Sequence, residues 1–270
     1  MTHYIDVMEG PRFKKVYELM KEQPRIKTVK RINLRSFYDQ FDFIERAGYP
    51  VIVTDYGKGC RQTIVSNLCE KYGEVILKAR KGNYCDPIVT ITSSREYEFI
   101  SVMDYVNLMS EGKDTSRYAA AHVIENIALS DLFTSHPEVY TKEEFETPSL
   151  WIGPKGSITP LHKDSRDNFI HQIVGSKRWW LYPVRDIPWL YMSILPSKPN
   201  TDLAVSKIDL RNVDLTKFPD FAKAKCIKVF TMPGEMLYLP MGWGHYVECV
   251  ENFSIMVNYW LKLGVITIAL

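Results

Sequence analysis

Three residues of this 270-residue chain have the types and spacing to hold a metal ion together. His162 and Asp164 are one residue apart in Thr159-Pro160-Leu161-His162-Lys163-Asp164. Side chains at i and i+2 of a strand share a face, so an imidazole and a carboxylate can meet there. Firm binding wants a third ligand, and His245 offers it in Pro240-Met241-Gly242-Trp243-Gly244-His245. Two His and one carboxylate on one face of an octahedral ion form the triad of non-haem Fe(II) oxygenases. The positions left open suit a bidentate 2-oxo acid and O2.

The segment between these ligands predicts elements that would aim a lysine at the same point. Phe169 to Val174 reads as a strand, Gly175-Ser176 as a two-residue turn and Lys177 to Tyr182 as the return strand. Gly at the first turn position suits a type II′ hairpin. In such a hairpin Val174 and Lys177 face each other, with Asn168, Ile170 and Gln172 on the same side. His171 has the opposite parity and should point away. A lysine buried in such a tube needs an anionic partner, and the distal carboxylate of 2-oxoglutarate is a natural one.

The His-x-Asp…Lys…His pattern, with Thr159 three residues before His162, resembles the JmjC (cupin-like) 2-oxoglutarate oxygenases. Within them it is most similar to the small hydroxylases that act on the asparagine of the hypoxia-inducible factor and on wybutosine in tRNA. The similar part runs from about Ser149 to Trp260. The resemblance implies a mainly β fold with flanking helices around a double-stranded β-helix (jelly-roll, cupin) core. It implies one JmjC-type domain over 1–270, with a mixed α/β part over 1–148 packed on a core over 149–262. His162, Asp164 and His245 would hold Fe(II). Lys177, Thr159, Tyr118, Asn168 and Asn258 would bind the co-substrate 2-oxoglutarate, and Trp260 and Ile170 would lie near the substrate. The family's polar residue two places after the Tyr is Ala120 here, so its substrate specificity does not carry over. The asparaginyl hydroxylase dimerises through helices beyond its barrel; with Leu261 to Leu270 as a short tail, that mode is not expected here.

The remaining elements follow from periodicity. Arg12 to Arg35 is basic, with Phe13, Val16, Tyr17 and Leu19-Met20 at helical spacing; it reads as a solvated amphipathic helix before it reads as a nucleic-acid face. Ser36 to Ala47 reads as a helix closed by Gly48, and Pro50 to Thr54 as a strand. Helices are expected over Gln62–Tyr72 and Glu98–Met109, and strands over Val75–Lys78, Tyr84–Ile91 and Arg117–Val123. Leu129 to Pro148 reads as a covering loop with short helical pieces. Arg185 to Lys225 lacks sustained periodicity and reads as an insertion near the mouth, with Pro188-Trp189-Leu190-Tyr191-Met192 as an apolar lip or a loop packed on its own domain. Cys226–Phe230, Met236–Leu239, His245–Val250 and Phe253–Trp260 are four closely spaced strands, the first two joined by a Pro233-Gly234 type II turn. His3, His122 and His136 have no partner at ligand spacing.

Composition sets the outer bounds. A content of 46% hydrophobic residues supports a sizeable core, and a net charge of +2 gives no compositional case for a polyanionic partner. Nucleic acid is thus not indicated by charge, and a protein or peptide is the expected substrate. Five scattered cysteines without zinc spacing fit free thiols in a reducing, cytoplasmic or nuclear compartment. No signal peptide and no membrane-crossing apolar run is read from the sequence. Hydroxylation of a protein side chain therefore stands first. Oxidation of tRNA, a small metabolite or an N-methyl group stands second, and a non-catalytic cupin-like binding module third, disfavoured by the intact triad.

Overall fold

The computed structural model describes residues 13–57, 61–81, 96–113, 116–123, 136–194 and 203–262. The described residues open with α1 (Phe13–Met20), whose apolar stripe buries Phe13, Val16 and Met20. After β1 (Lys30–Ile32) come α2 (Leu34–Asp39) and α3 (Phe41–Ala47) where the sequence suggests one helix. The helix breaks at Gln40, and the bend lets Phe37 and Phe41 both pack on Tyr238, at ring distances of 6.2 and 5.6 Å. Gly48 ends α3 in the left-handed conformation, as expected.

Next come β2 (Val51–Val53), α4 (Arg61–Tyr72), β3 (Ile76–Lys81), β4 (Glu96–Ser101), α5 (Val102–Ser110) and β5 (Arg117–Val123). The helix predicted from Glu98 begins four residues later. Tyr97 and Phe99 pair in register with β3, and the Ser101 hydroxyl caps the helix by accepting from the Asp104 N–H. The strand expected over 84–91 and the first part of the covering loop lie outside the described residues. The rest of that loop contains a 3-10 turn at Lys142–Glu144.

The C-terminal part is β6 (Ser149–Pro154), β7 (Ile158–Lys163), β8 (Asn168–Val174), β9 (Lys177–Tyr182), β10 (Met192–Ile194), β11 (Ala204–Ser206), β12 (Ile227–Thr231), β13 (Met236–Leu239), β14 (Gly244–Cys249) and β15 (Phe253–Trp260). Among the described residues the strands form a nine-stranded sheet, β1-β2-β13-β8-β15-β6-β5-β3-β4, and a six-stranded sheet, β10-β11-β7-β14-β9-β12. Successive strands β6 to β9, and again β12 to β15, alternate between the two sheets. That alternation is the double-stranded β-helix, so the expected fold class is the observed one.

The same alternation corrects the hairpin reading. β8 pairs with β13 and β15, whereas β9 pairs with β12 and β14. Gly175-Ser176 is therefore a corner that carries the chain from one sheet to the other, and Val174 does not oppose Lys177. Gly175 has φ 65°, and a Cβ there would lie 2.2 Å from the Phe253 carbonyl oxygen. Local turn chemistry is the same for a hairpin and a corner; only the distant partners of β8 and β9 distinguish them. Pro233-Gly234 does form its turn, with Gly234 at φ 87° and the Glu235 N–H bonded to the Met232 carbonyl, but it too joins strands of different sheets.

The Arg185–Lys225 segment is more regular than its sequence suggests. It holds 3-10 turns at Val184–Trp189 and Pro219–Lys223 and the strand pair β10–β11, which extends the six-stranded sheet beside β7. Leu190 and Met192 are buried in the core, so this part of the apolar lip packs on its own domain. Buried Asp186 anchors the segment by accepting two hydrogen bonds from Arg25 and one from the Lys225 N–H.

Two cores result. One lies between the sheets and includes Tyr118, Trp151, Ile170, Trp179, Leu237 and Met256. The other lies on the outer face of the nine-stranded sheet, where Phe37, Phe41, Val102 and Tyr105 from the helices meet Phe169, Tyr238 and Val257. Cys69, Cys226 and Cys249 are free thiols. Among the described residues no helix is long and apolar enough to cross a membrane.

Candidate metal centre

His162 on β7 and His245 on β14 are directly paired across adjacent strands, which puts both imidazoles on the inner face of the six-stranded sheet. Their ring centroids are 3.9 Å apart. Asp164 follows just beyond the end of β7. Its Oδ1 lies 3.8 Å from His162 Nε2 and its Oδ2 3.7 Å from His245 Nε2. One ligand atom from each of the three residues falls within 4.8 Å of the others.

The backbone sets the tautomers. His162 Nδ1 is 2.8 Å from the Pro160 carbonyl oxygen and His245 Nδ1 is 3.1 Å from that of Trp243. A carbonyl only accepts, so each Nδ1 carries the proton and each Nε2 turns a lone pair toward Asp164. Burial and the neighbouring His162 push His245 down to about 3, against the attraction of Asp164, so it stays neutral and available as a ligand. Burial works against ionisation of Asp164, and the hydrogen bonds it accepts from Trp260 and Asn168 favour the carboxylate.

Those last two residues are themselves cross-strand partners on β8 and β15. Asn168 Nδ2 donates to Asp164 Oδ2 at 3.1 Å, and Trp260 Nε1 donates to the same oxygen at 3.3 Å. Both therefore orient the carboxylate from the opposite sheet. Partners of this kind typically fix ligand geometry and basicity.

Lys177 lies deeper on the same inner face. It pairs with Cys249 and Thr231, and Cys249 shares the parity of His245 on β14. Its side chain is fully buried and crosses the interior, its Nζ donating to the Tyr118 hydroxyl at 3.2 Å. Among the described residues no carboxylate lies within ion-pair distance of it. Burial opposes its charge, and the Cys249 sulfur and Tyr118 hydroxyl outweigh that and hold its proton on.

Thr159 reaches this face through an irregularity. It lies three residues from His162, an odd spacing that would put the two on opposite sides of a regular strand. On β14, however, their partners Val247 and His245 are two apart. The extra residue on β7 is a bulge, and it returns Thr159 to the inner face. Asn258 and Ile170 pair with each other on the inner face of the nine-stranded sheet, beside the Asn168–Trp260 pair. Asn168 Oδ1, Asn258 Oδ1 and Trp151 Nε1 are buried without hydrogen-bond partners among the described residues. His171 points to the outer face, as its parity implies; it packs on Tyr56 at 4.8 Å, and burial lowers it to about 4.

Comparison with known proteins places the arrangement. A cupin-like domain matches residues 40–262. The chain belongs to the cupin-like domain family. HSPB1-associated protein 1 of Homo sapiens is 40% identical to this cupin-like chain over 116 residues, which are 43% of the chain and 23% of that protein. Lysine-specific demethylase 8 of Danio rerio is 31% identical over 180 residues, 60% of the chain and 41% of that protein. Lysine-specific demethylase JMJ30 of Arabidopsis thaliana is 35% identical over 117 residues, 43% of the chain and 26% of that protein. The matches thus span less than half the length of each relative. The JmjC-type resemblance carried by His162, Asp164, Lys177 and His245 agrees with these relatives.

Sequence reasoning missed two supports. Asp167, buried, accepts from the Tyr238 hydroxyl and from the Met241 N–H, each at 2.6 Å, and so pins the loop leading to His245. Trp243 Nε1 fastens the other side of that loop to the Gly48 carbonyl at 2.9 Å. Neither has a sequence signature, because both partners are distant in the chain. Cys249 was within reach: its parity with His245 is visible in the sequence.

Proposed function

We propose that this cupin-like chain is an Fe(II)- and 2-oxoglutarate-dependent oxygenase that hydroxylates a C–H bond on a protein or peptide side chain. The carrying observation is the His162–Asp164–His245 group, its ligand atoms within 4.8 Å, with fully buried Lys177 on the same interior face. Two imidazoles, each with Nδ1 on a backbone carbonyl and Nε2 toward Asp164, and a carboxylate suit a divalent iron with open positions. His162 and His245 would bind through Nε2 and Asp164 through a carboxylate oxygen. When bound, iron, 2-oxoglutarate and O2 would supply the oxidation: the keto acid loses CO2 and gains one oxygen atom to become succinate, and the other oxygen atom enters the substrate C–H bond.

The chain supplies position and dryness. Lys177 and Tyr118 offer an ammonium and a hydroxyl 3.2 Å apart for the far carboxylate of 2-oxoglutarate, and Thr159 adds a hydroxyl from the bulge. Asn258, with an unpartnered Oδ1, serves the end of the co-substrate nearer the metal. Asn168 contributes through Asp164, which it and Trp260 orient. Ile170, Trp151, Leu237 and Met256 line an apolar interior that keeps water from the reacting atoms. Free Cys69, Cys226 and Cys249 support a reducing, cytoplasmic setting.

Relatives named lysine-specific demethylases favour a second reading, in which the C–H bond belongs to an N-methyl group. The two readings share every residue of the site and differ in product. Candidate peptides, tRNA and cell extract would be incubated with enzyme, iron, ascorbate and 2-oxoglutarate and examined by mass spectrometry. A gain of one oxygen on a peptide supports hydroxylation, and loss of a methyl group with formaldehyde release supports demethylation. Oxygen gained on tRNA alone, or no succinate at all, would overturn the first reading.

A further inference from the structure

The nine-stranded sheet is wider than the barrel. Beyond β6 it continues through β5 and β3 to β4, the edge strand among the described residues. Arg80 on β3 pairs with Tyr118, whose side chain is in the barrel interior, so Arg80, Lys78 and Ile76 lie on the interior side of the sheet. Their partners on β4 are Tyr97, Phe99 and Ser101. The opposite side is covered: Leu77 and Ala79 are fully buried against the helices. The interior side is not, with Phe99 70%, Ile76 54% and Tyr97 44% exposed.

At its Arg80 end this wall joins the barrel interior beside Tyr118, the partner of Lys177. The Arg80 guanidinium sits 5.9 Å from the Trp151 ring, and Trp151 is 5.9 Å from Tyr118. Lys78 Nζ lies 4.2 Å over the Tyr97 ring. From Arg80 to Ile76 the wall runs in the same direction as β5 from Tyr118 to Val123. Val123 pairs with Ser149, and Ser149 with Asn258, so the apolar end stands at the level of Asn258 and Ile170.

We propose that this wall docks an extended polypeptide segment rich in apolar and acidic residues, the stretch flanking the side chain presented to the metal. The inference rests on the oxygenase reading for its direction, but the docking is a separate event. Charge decides the class of occupant. Glu96 and Glu98 fall on the other face by parity, so the exposed cation these two strands put on the wall is Lys78, with no carboxylate beside it from either strand. Three exposed apolar side chains call for apolar contacts, and scattered ones would not. Lys78 and Arg80 are too few to neutralise the run of phosphates that nucleic-acid binding depends on.

The test measures binding without turnover, by fluorescence anisotropy of the intact protein with a short fluorescein-labelled peptide alternating Glu with Leu. A Lys-for-Glu version and a single-stranded oligonucleotide serve as comparisons. The acidic peptide should bind more tightly than either. Ile76→Ser with Phe99→Ser should weaken it by about tenfold or more, as expected for two apolar contacts. Lys78→Glu should shift preference toward the basic peptide. All three substitutions are at exposed positions and should leave the unfolding temperature and Mn(II) affinity unchanged. His162→Ala should weaken Mn(II) binding yet keep the peptide, which separates failure of docking from failure of the metal reading. Equal binding of acidic and basic peptides, tighter binding of the oligonucleotide, or a concentration-dependent dimer abolished by Phe99→Ser would overturn the proposal.

Discussion

Removing Lys177 is the sharpest perturbation of the co-substrate reading. The ammonium is fully buried, its Nζ donating to the Tyr118 hydroxyl with the Cys249 sulfur nearby, and no carboxylate among the described residues pairs with it. The far carboxylate of 2-oxoglutarate would complete the pair. Deleting one partner of a buried ion pair leaves the other uncompensated and costs about 3–5 kcal/mol. At about 1.4 kcal/mol per factor of ten, Lys177→Ala should weaken 2-oxoglutarate binding by roughly a few hundredfold to a few thousandfold. Lys177→Arg should recover only part of this, because the planar fork is longer than the space that now ends at Tyr118. The assay is calorimetric titration of 2-oxoglutarate into Mn(II)-loaded wild type and variants, with Mn(II) affinity measured separately. Metal affinity should hold, because Lys177 touches none of the three ligands. Equal 2-oxoglutarate affinity in Lys177→Ala would refute the anchor, and joint loss of metal and co-substrate would make the lysine a structural member of the barrel.

Other expectations test the frame around it. His162→Ala or Asp164→Ala should abolish succinate formation and weaken Mn(II) binding; undiminished succinate in either variant would remove the triad. Gly175→Ala should destabilise the fold by about 1–3 kcal/mol or more, read by urea unfolding, because φ is 65° and the new Cβ would meet the Phe253 carbonyl at 2.2 Å; an unchanged midpoint would mean the corner relaxes freely. Glu45, which accepts from the Tyr140 hydroxyl, is pushed up to about 7 chiefly by burial, so the folded state holds its proton more tightly than the unfolded chain. That contribution is full below its ordinary value of 4.5 and is lost as pH rises through about 7. Glu45→Gln should therefore flatten the fall in unfolding temperature between about pH 5 and about pH 8, and parallel curves would refute it.

The grouping of His162, Asp164 and His245 was legible because the chemistry of these residue types is specific and the His162–Asp164 pair is local. The barrel strands over 149–182 and 226–260 were legible because alternation and turn residues act over a few positions, whereas the short pair β10–β11 was not. What could not be read was which strand meets which. Lys177 does share the interior with Asn168 and Ile170, but from across the barrel, not across a hairpin. The Thr159 position depends on a bulge that shows only when β7 is laid against β14. The break at Gln40 and the late start of α5 were both decided by tertiary packing, Tyr238 in one case and the β3 ladder in the other, against local helical spacing. The support from Asp167 joins groups remote in sequence and leaves no local pattern.

The direct pairing of His162 with His245 also bears on how the chain reaches its native state. These residues come from strands far apart in sequence, and between them the chain crosses repeatedly from sheet to sheet. Such a topology has few local contacts to guide early assembly and is expected to fold slowly. The two imidazoles become neighbours only when β14 slots between β7 and β9, near the closing of the barrel. A nascent or half-folded chain therefore offers a metal ion only the local His162–Asp164 pair, one ligand short of the group. The ion would find all three ligands only in the closed form and stabilise it by mass action. Metal retention would then serve as a gauge of barrel closure, and a chain ending before β14 would retain none through this group, however well its earlier strands were formed.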